Sequence, residues 1–185
     1  MSLIVKNSVI YLIANITNAV IPFLLLPILT RFFTQEEYGQ IAMYQVLIGG
    51  LGAFIGLNTV GASARKYYDQ GNTSDTIKKY NINCLWNLIA SSIIVSLIIL
   101  LFEEEITNII NVPVHWLYLS ICMCIASYLF KFLLSQWQVR GKAKEFGLLQ
   151  VSKSAMNVLL SLFLVMFFLM GPEGRIYGQK EITCP

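Results

Sequence analysis

Charge is what this sequence has least of. Only 12% of its 185 residues are Asp, Glu, Lys or Arg, about half of the roughly 25% usual in a soluble domain. Hydrophobic residues make up 56%, and the mean hydropathy is +0.66. A chain of this length hides only about 70% of its unfolded surface on folding. A water-soluble core could not bury so much apolar side chain. Histidine is almost missing, His115 being the single one, and no Asp or Glu stands in any of the long apolar runs. Hydrolases and transferases need a positioned nucleophile or general acid/base group, so no catalytic residue is assigned and the chain is read as a non-enzyme. A basic cluster suited to nucleic acid is lacking too, the net charge being only +3. The four cysteines, Cys84, Cys122, Cys124 and Cys184, form no framework. Cys122 and Cys124 are two apart, so on a helix they point in different directions, which suits neither a disulfide nor a shared metal. They are read as small apolar filler, and no metal site is assigned.

The sequence does have long apolar runs. A bilayer core of about 30 Å takes roughly 20 helical residues. Five stretches qualify, at 8–29, 41–61, 82–102, 116–136 and 149–170. The first three hold no charged residue, the fourth holds only Lys131 and the fifth only Lys153. The expected fold is all-α, a polytopic membrane helix bundle of about five transmembrane helices occupying residues 1–170, followed by a short outer-side tail at 171–185. The start resembles a signal peptide only briefly, because its apolar run exceeds the usual 7–15 residues or so and no small-residue cleavage site closes it. Residues 62–81 form the longest polar connection.

Loop charges set the expected orientation. Lys6, Arg65, Lys66, Lys78, Lys79, Arg140, Lys142 and Lys144 fall on one side and Arg31 alone on the other, while the connection between spans three and four carries Glu103, Glu104 and Glu105. Positive residues mark the cytoplasmic side. The N-terminus is therefore expected in the cytoplasm, with the chain multi-pass in a bacterial inner membrane. Tyr38, Tyr67, Tyr68, Tyr80, Trp116 and Trp137 are placed to act as interfacial anchors.

Polar residues inside the spans recur at helical spacing. Span one has Asn7, Tyr11, Asn15, Asn18 and Pro22; span three has Asn83, Asn87 and Ser91; span four has Ser120, Cys124, Ser127, Lys131 and Ser135; span five has Gln150, Lys153, Ser154, Asn157 and Ser161. Each set occupies one helical face. Such stripes are either interhelical glue or the lining of a wetted cavity. An intramembrane cation costs at least ~2.5 kcal/mol at mid-depth and usually faces a cavity or a partner. Lys131 and Lys153 could snorkel to the interface or form the positive rim of a cavity that takes an anionic ligand. Arg31, Lys131, Lys153, Asn15, Asn18, Asn87 and Asn157 are the candidate binding residues. Pro22 and Pro27 each remove a backbone hydrogen bond and favour a kink, which makes them gating candidates. Gly52 and Gly56 form a small-xxx-small face for close helix packing.

The order of several short motifs resembles a known family. Pro22, Pro27 and Thr30-Arg31, followed by Glu36-Glu37-Tyr38-Gly39, are similar to the start of the bacterial O-antigen flippases. These belong to the multidrug/oligosaccharidyl-lipid/polysaccharide exporter superfamily. Gln138-Val-Arg140-Gly141-Lys-Ala-Lys144-Glu-Phe146 and Gly171-Pro-Glu-Gly174-Arg175-Ile-Tyr-Gly178-Gln179 are similar as well. The resemblance implies flipping of an undecaprenyl-pyrophosphate-linked oligosaccharide across the inner membrane by alternating access. It also implies a proton or Na+ as coupling ion, no cofactor, and membrane lipids and glycan-assembly membrane proteins as partners. By resemblance Arg31 is the first substrate-binding candidate, since Arg and Lys stabilise phosphate charge. An exopolysaccharide or teichoic-acid exporter of the same superfamily is the nearest alternative, and a membrane-embedded glycan polymerase the next.

Members of that family have about twelve spans in two lobes, and the expected five make less than one lobe. The residues after Gln179 lack the apolar character of a sixth span, so the chain reads as a truncated product. Alternating access needs two moving lobes. The 185-residue chain alone is therefore expected to show no flipping of a lipid-linked sugar in reconstituted vesicles. Turnover above that of protein-free vesicles would contradict this.

Overall fold

The computed structural model describes residues 3–32, 34–69, 73–110 and 112–168. Among these the chain is an all-α membrane helix bundle with no strand: α1 (Leu3–Phe32), α2 (Gln35–Phe54), α3 (Thr59–Tyr68), α4 (Ser74–Leu101), α5 (Glu103–Ile110), α6 (Val114–Val139) and α7 (Ala143–Phe168). Helices α4 and α6 are long and apolar enough to cross a membrane, and α2 with α3 passes the same test as one bent span. The 30 residues of α1 and 26 of α7 make rods of about 45 and 39 Å, longer than the ~30 Å hydrocarbon core. These two helices cover the first and fifth expected spans, and α1 runs as one helix through Pro22 and Pro27. The expected tail at 171–185 lies outside the described residues.

Local chemistry explains where the helices start and stop. Thr34 and Glu37 form a reciprocal capping box at the head of α2. The Thr34 N–H donates to Glu37 Oε2 at 2.8 Å and the Glu37 N–H to Thr34 Oγ1 at 3.3 Å, satisfying amides that a helix start leaves open. Glu36 and Glu37 also sit in the first turn, where the helix dipole favours negative charge. Gly141, at φ +70°, makes the left-handed exit after α6 that suits glycine. The polar connection at 62–81 is largely helical, since α3 and the start of α4 carry Arg65, Lys66, Lys78 and Lys79. Its ion pairs, Lys66–Asp69 and Lys78–Asp75, are exposed and of the kind that contributes little.

The chain forms two compact units, one from residues 1–41 and 140–185, the other from 42–139. In the first, α1 and α7 lie side by side. Asn7 Nδ2 donates to the Gly141 carbonyl at 3.4 Å, Gln150 Nε2 donates to Asn15 Oδ1 at 3.0 Å, and Ser154 Oγ donates to Asn18 Oδ1. The sequence separations are 134, 135 and 136, so the helices are parallel and in register. Tyr11 meets Phe146 edge to face at 4.9 Å, and Ala14 is buried at the seam.

In the second unit α4 runs antiparallel to the α2–α3 pair. Their contacts Gly56–Ser91, Thr59–Cys84 and Ser63–Asn81 close up along the chain, with separations of 35, 25 and 18. Helix α6 runs parallel to α2, with Cys124 donating to the Ile48 carbonyl at 3.5 Å. Trp116 is no lipid-facing anchor. It is 2% exposed and packs edge-on against Tyr44 at 5.4 Å.

The tightest point of the α1–α7 seam is Gly147. A Cβ there would meet Ile10 Cγ2 at 3.2 Å and the Ala14 methyl at 3.9 Å. Gly147→Leu should lower the thermal unfolding midpoint in detergent by the ~1–3 kcal/mol typical of overpacking. Gly49→Ala, which meets nothing within 4 Å, should hold it or raise it by up to ~1 kcal/mol.

Candidate functional site

Span two is expected to run as one helix over 41–61, with Gly52 and Gly56 on one face. Instead it breaks. Helix α2 ends at Phe54, α3 begins at Thr59, and their axes meet at 47°. Three consecutive residues in the break are left-handed: Gly56 at φ +80°, Leu57 at +44° and Asn58 at +53°. Glycine takes this conformation freely, whereas Leu and Asn are strained in it by roughly 1–3 kcal/mol each. Gly56 thus makes its close approach from a turn, not from a helix face. A Cβ on it would lie 2.2 Å from the Tyr128 ring. Gly52 remains on α2, opposite Cys124 Sγ.

Neighbouring helices take up the backbone groups that the break frees. The Gly56 N–H donates to Ser91 Oγ of α4 at 2.8 Å, and the Gly56 carbonyl accepts from Thr59 Oγ1 at 2.8 Å. The Thr59 hydroxyl has spent its only proton on that carbonyl. It therefore accepts from the Tyr128 hydroxyl of α6. The Cys84 thiol lies 3.9 Å from the Thr59 carbonyl. Backbone that leaves the helix at membrane depth is tolerated only with such partners.

A second polar ring lies just beyond, along α3. Ser63 Oγ donates to Asn81 Oδ1 at 2.7 Å, Asn81 Nδ2 to Gln136 Oε1 at 3.2 Å, and Gln136 Nε2 back to Ser63 Oγ at 2.8 Å. One side chain from each of α3, α4 and α6 closes the cycle, with Ser63 and Gln136 buried. Sequence reasoning missed this ring, because its members stand at the ends of apolar runs and not within a stripe. It also missed the break, although Gly56 and Asn58 in the middle of an apolar run are turn residues.

The expected site residues separate into groups. Asn15 and Asn18 are interhelical partners of Gln150 and Ser154. Gln150 Oε1 is buried without a partner among the described residues, so this ladder keeps one acceptor for a water or a ligand hydroxyl. Lys153 and Asn157 are half-buried on α7, Asn87 is half-buried on α4, and Lys131 is exposed on α6. Neither Asn87 nor Lys131 joins the hydrogen bonds around the break. The backbones of Pro22, Pro27 and Arg31 lie in α1, and the side chains of Pro22 and Arg31 lie outside the described residues. Along α4 an apolar groove of about 400 Å³ is lined by Leu88, Ile89, Ser92, Ile93, Ser96, Leu97, Leu100 and Ile125. Its lining suits hydrocarbon rather than sugar.

The break gives a graded prediction for thermal unfolding in detergent. Gly56→Ala combines a left-handed backbone with a collision and should cost well over ~1 kcal/mol. Ser91→Ala, which strands a buried N–H, should cost about 1–3 kcal/mol. Tyr128→Phe, which removes one membrane hydrogen bond, should cost only roughly 0.6 kcal/mol. Equal effects for all three would contradict this account of how the bend is held.

Comparison with known proteins gives the family. Residues 4–178 match the polysaccharide biosynthesis protein family. Over 174 residues the chain is 28% identical to a Haemophilus influenzae protein named from the Lsg locus, covering 88% of this chain and 43% of that one. Over 71 residues it is 41% identical to an uncharacterized membrane protein of the same organism, covering 38% of this chain and 18% of that one. The chain thus spans less than half the length of the curated relatives it matches. No solved structure matches it. With the match running along almost all of its helices, this membrane chain belongs to the polysaccharide biosynthesis protein family.

Proposed function

We propose that this chain serves in moving a lipid-linked oligosaccharide across the bacterial inner membrane. The cargo would be an undecaprenyl-pyrophosphate-linked O-antigen repeat unit passing from the cytoplasmic to the periplasmic leaflet. In this reading the N-terminus is cytoplasmic, and the work is conformational rather than enzymatic.

The observation that carries the proposal is the broken second span. Lipid-exposed irregular backbone does not occur in hydrocarbon; it is found where it is buried in protein or lines a cavity. Leu57 and Asn58 are exposed at the break, so the open side of the turn calls for a polar surrounding. Discontinuous spans of this kind form substrate and ion sites in transporters. Family membership supplies the glycan. In the unit that holds the break, the intramembrane cation Lys131 is the candidate charge for a pyrophosphate; Lys153 and Arg31, in the other unit, are candidates from the sequence alone. Asn87, in the same unit as the break, is the candidate amide for sugar hydroxyls, and Asn157 is a candidate from the sequence alone.

The test is equilibrium binding of a short-chain polyprenyl-pyrophosphate sugar to the chain in lipid nanodiscs. A charge-assisted hydrogen bond is worth about 1.5–3 kcal/mol, so Lys131→Ala should weaken binding roughly tenfold or more, and Lys131→Arg should retain most of it. Equal affinity for the uncharged polyprenol, or no loss with Lys131→Ala, would sink the cationic-site reading.

A further inference from the structure

The short helix between α4 and α6 is unused by the site above, and its surface is unlike that of its neighbours. Helix α5 covers Glu103–Ile110. Ile106, Ile109 and Ile110 stand at i, i+3 and i+4 and so share one face, while Glu104 and Asn108 share the opposite one. Ile109, next to last in this eight-residue helix, is 79% exposed. At about 12 Å long it cannot cross the ~30 Å hydrocarbon core.

We infer that α5 is an interfacial helix, lying along the bilayer surface with its isoleucine face at the boundary between lipid headgroups and acyl chains. Three observations fix its occupant as lipid. First, α4 and α6 each have the length and apolarity to cross the membrane, so the connection between them lies at the bilayer boundary. Second, the apolar residues on both sides of the joint are exposed, with Leu100, Leu101 and Phe102 at the end of α4 and Ile109 on α5. Third, α5 is held at the end of α4 without a free loop. The Phe102 N–H bonds the Ile98 carbonyl at 3.1 Å and the Ile106 N–H bonds the Phe102 carbonyl at 3.0 Å. The Tyr118 hydroxyl of α6 donates to the Glu103 carboxylate, pinning the head of α5, and Tyr is a residue enriched at this depth.

The charge on α5 makes the inference specific. Interfacial helices usually carry Lys or Arg and gain from anionic lipids. Helix α5 has Glu103, Glu104 and Glu105 in its first turn and no basic residue. Its attachment is therefore hydrophobic and needs no anionic headgroup.

The test uses the whole chain in vesicles, with an environment-sensitive fluorescent amino acid inserted at Ile109 or, separately, at Glu104. Both positions are exposed, so neither probe disturbs packing. In phosphatidylcholine vesicles the probe at Ile109 should be quenched several-fold more by shallow brominated lipid than by aqueous iodide, and the probe at Glu104 the reverse. Adding phosphatidylglycerol should leave the pattern unchanged. If iodide reaches both positions equally, α5 is solvated and the inference fails. If neither quencher reaches Ile109, protein covers that face, and it fails again. Lipid quenching that appears only with phosphatidylglycerol would overturn the charge-independent attachment.

Discussion

A peptide group in hydrocarbon has no water to turn to. Each N–H and C=O left open there costs several kcal/mol, and this obligation governs almost every feature of the chain. It explains why the described residues are mostly helical. It also explains why the break in span two is surrounded by hydroxyls and a thiol. Ser91, Thr59 and Cys84 meet the backbone at Gly56 and Thr59, and Tyr128 of a third helix meets the Thr59 hydroxyl. Without them span two could bend only by abandoning polar groups to lipid.

The same obligation shapes the two polar assemblies. Along α1 and α7 the amide stripe of one helix meets a matching stripe on the other at a fixed sequence offset. Asn15 and Asn18 thereby join two parallel helices through Gln150 and Ser154. In the other unit the Ser63–Asn81–Gln136 cycle joins three helices, each side chain donating once and accepting once within the ring. Fully closed rings rigidify, since a half-satisfied one is costly in a low dielectric. The rigid ring follows the strained turn by only a few residues, so the bend at Gly56 is anchored on its α3 side.

The helix bundle was legible because hydrophobic runs of membrane length leave little choice of fold. The Thr34–Glu37 capping box was present in the motif that carried the family resemblance, and Gly141 was present in another; the structure shows that both are helix punctuation. The break was not legible. A run from Ile41 to Gly61 without charge looks like one span, and the partners that make a break affordable, Ser91 and Tyr128, lie 35 and about 70 residues away in sequence. Trp116 illustrates the same limit. Its place at a span end suggested a lipid anchor, and only the parallel packing of α2 on α6 reveals its contact with Tyr44. The cations Lys131 and Lys153 were visible as anomalies of composition, but their differing burial on α6 and α7 depends on packing that one sequence does not encode locally.

What holds the bend can be argued from magnitudes. Two non-glycine residues in the left-handed region cost roughly 1–3 kcal/mol each. Interhelical hydrogen bonds in membranes average about 0.6 kcal/mol, so the bonds from Ser91 and Tyr128 together fall short of the strain. The Ser91 bond removes a penalty, that of an open backbone N–H, more than it adds a driving force. The remainder has to come from packing, and the Tyr128 ring is the group in position to supply it. It is buried, it stacks on Phe132 at 6.1 Å, and it occupies the space where any side chain at residue 56 would begin. The glycine and the tyrosine are therefore one device. Tyr128 fills the concave side of the bend, and only a residue without a Cβ lets it do so.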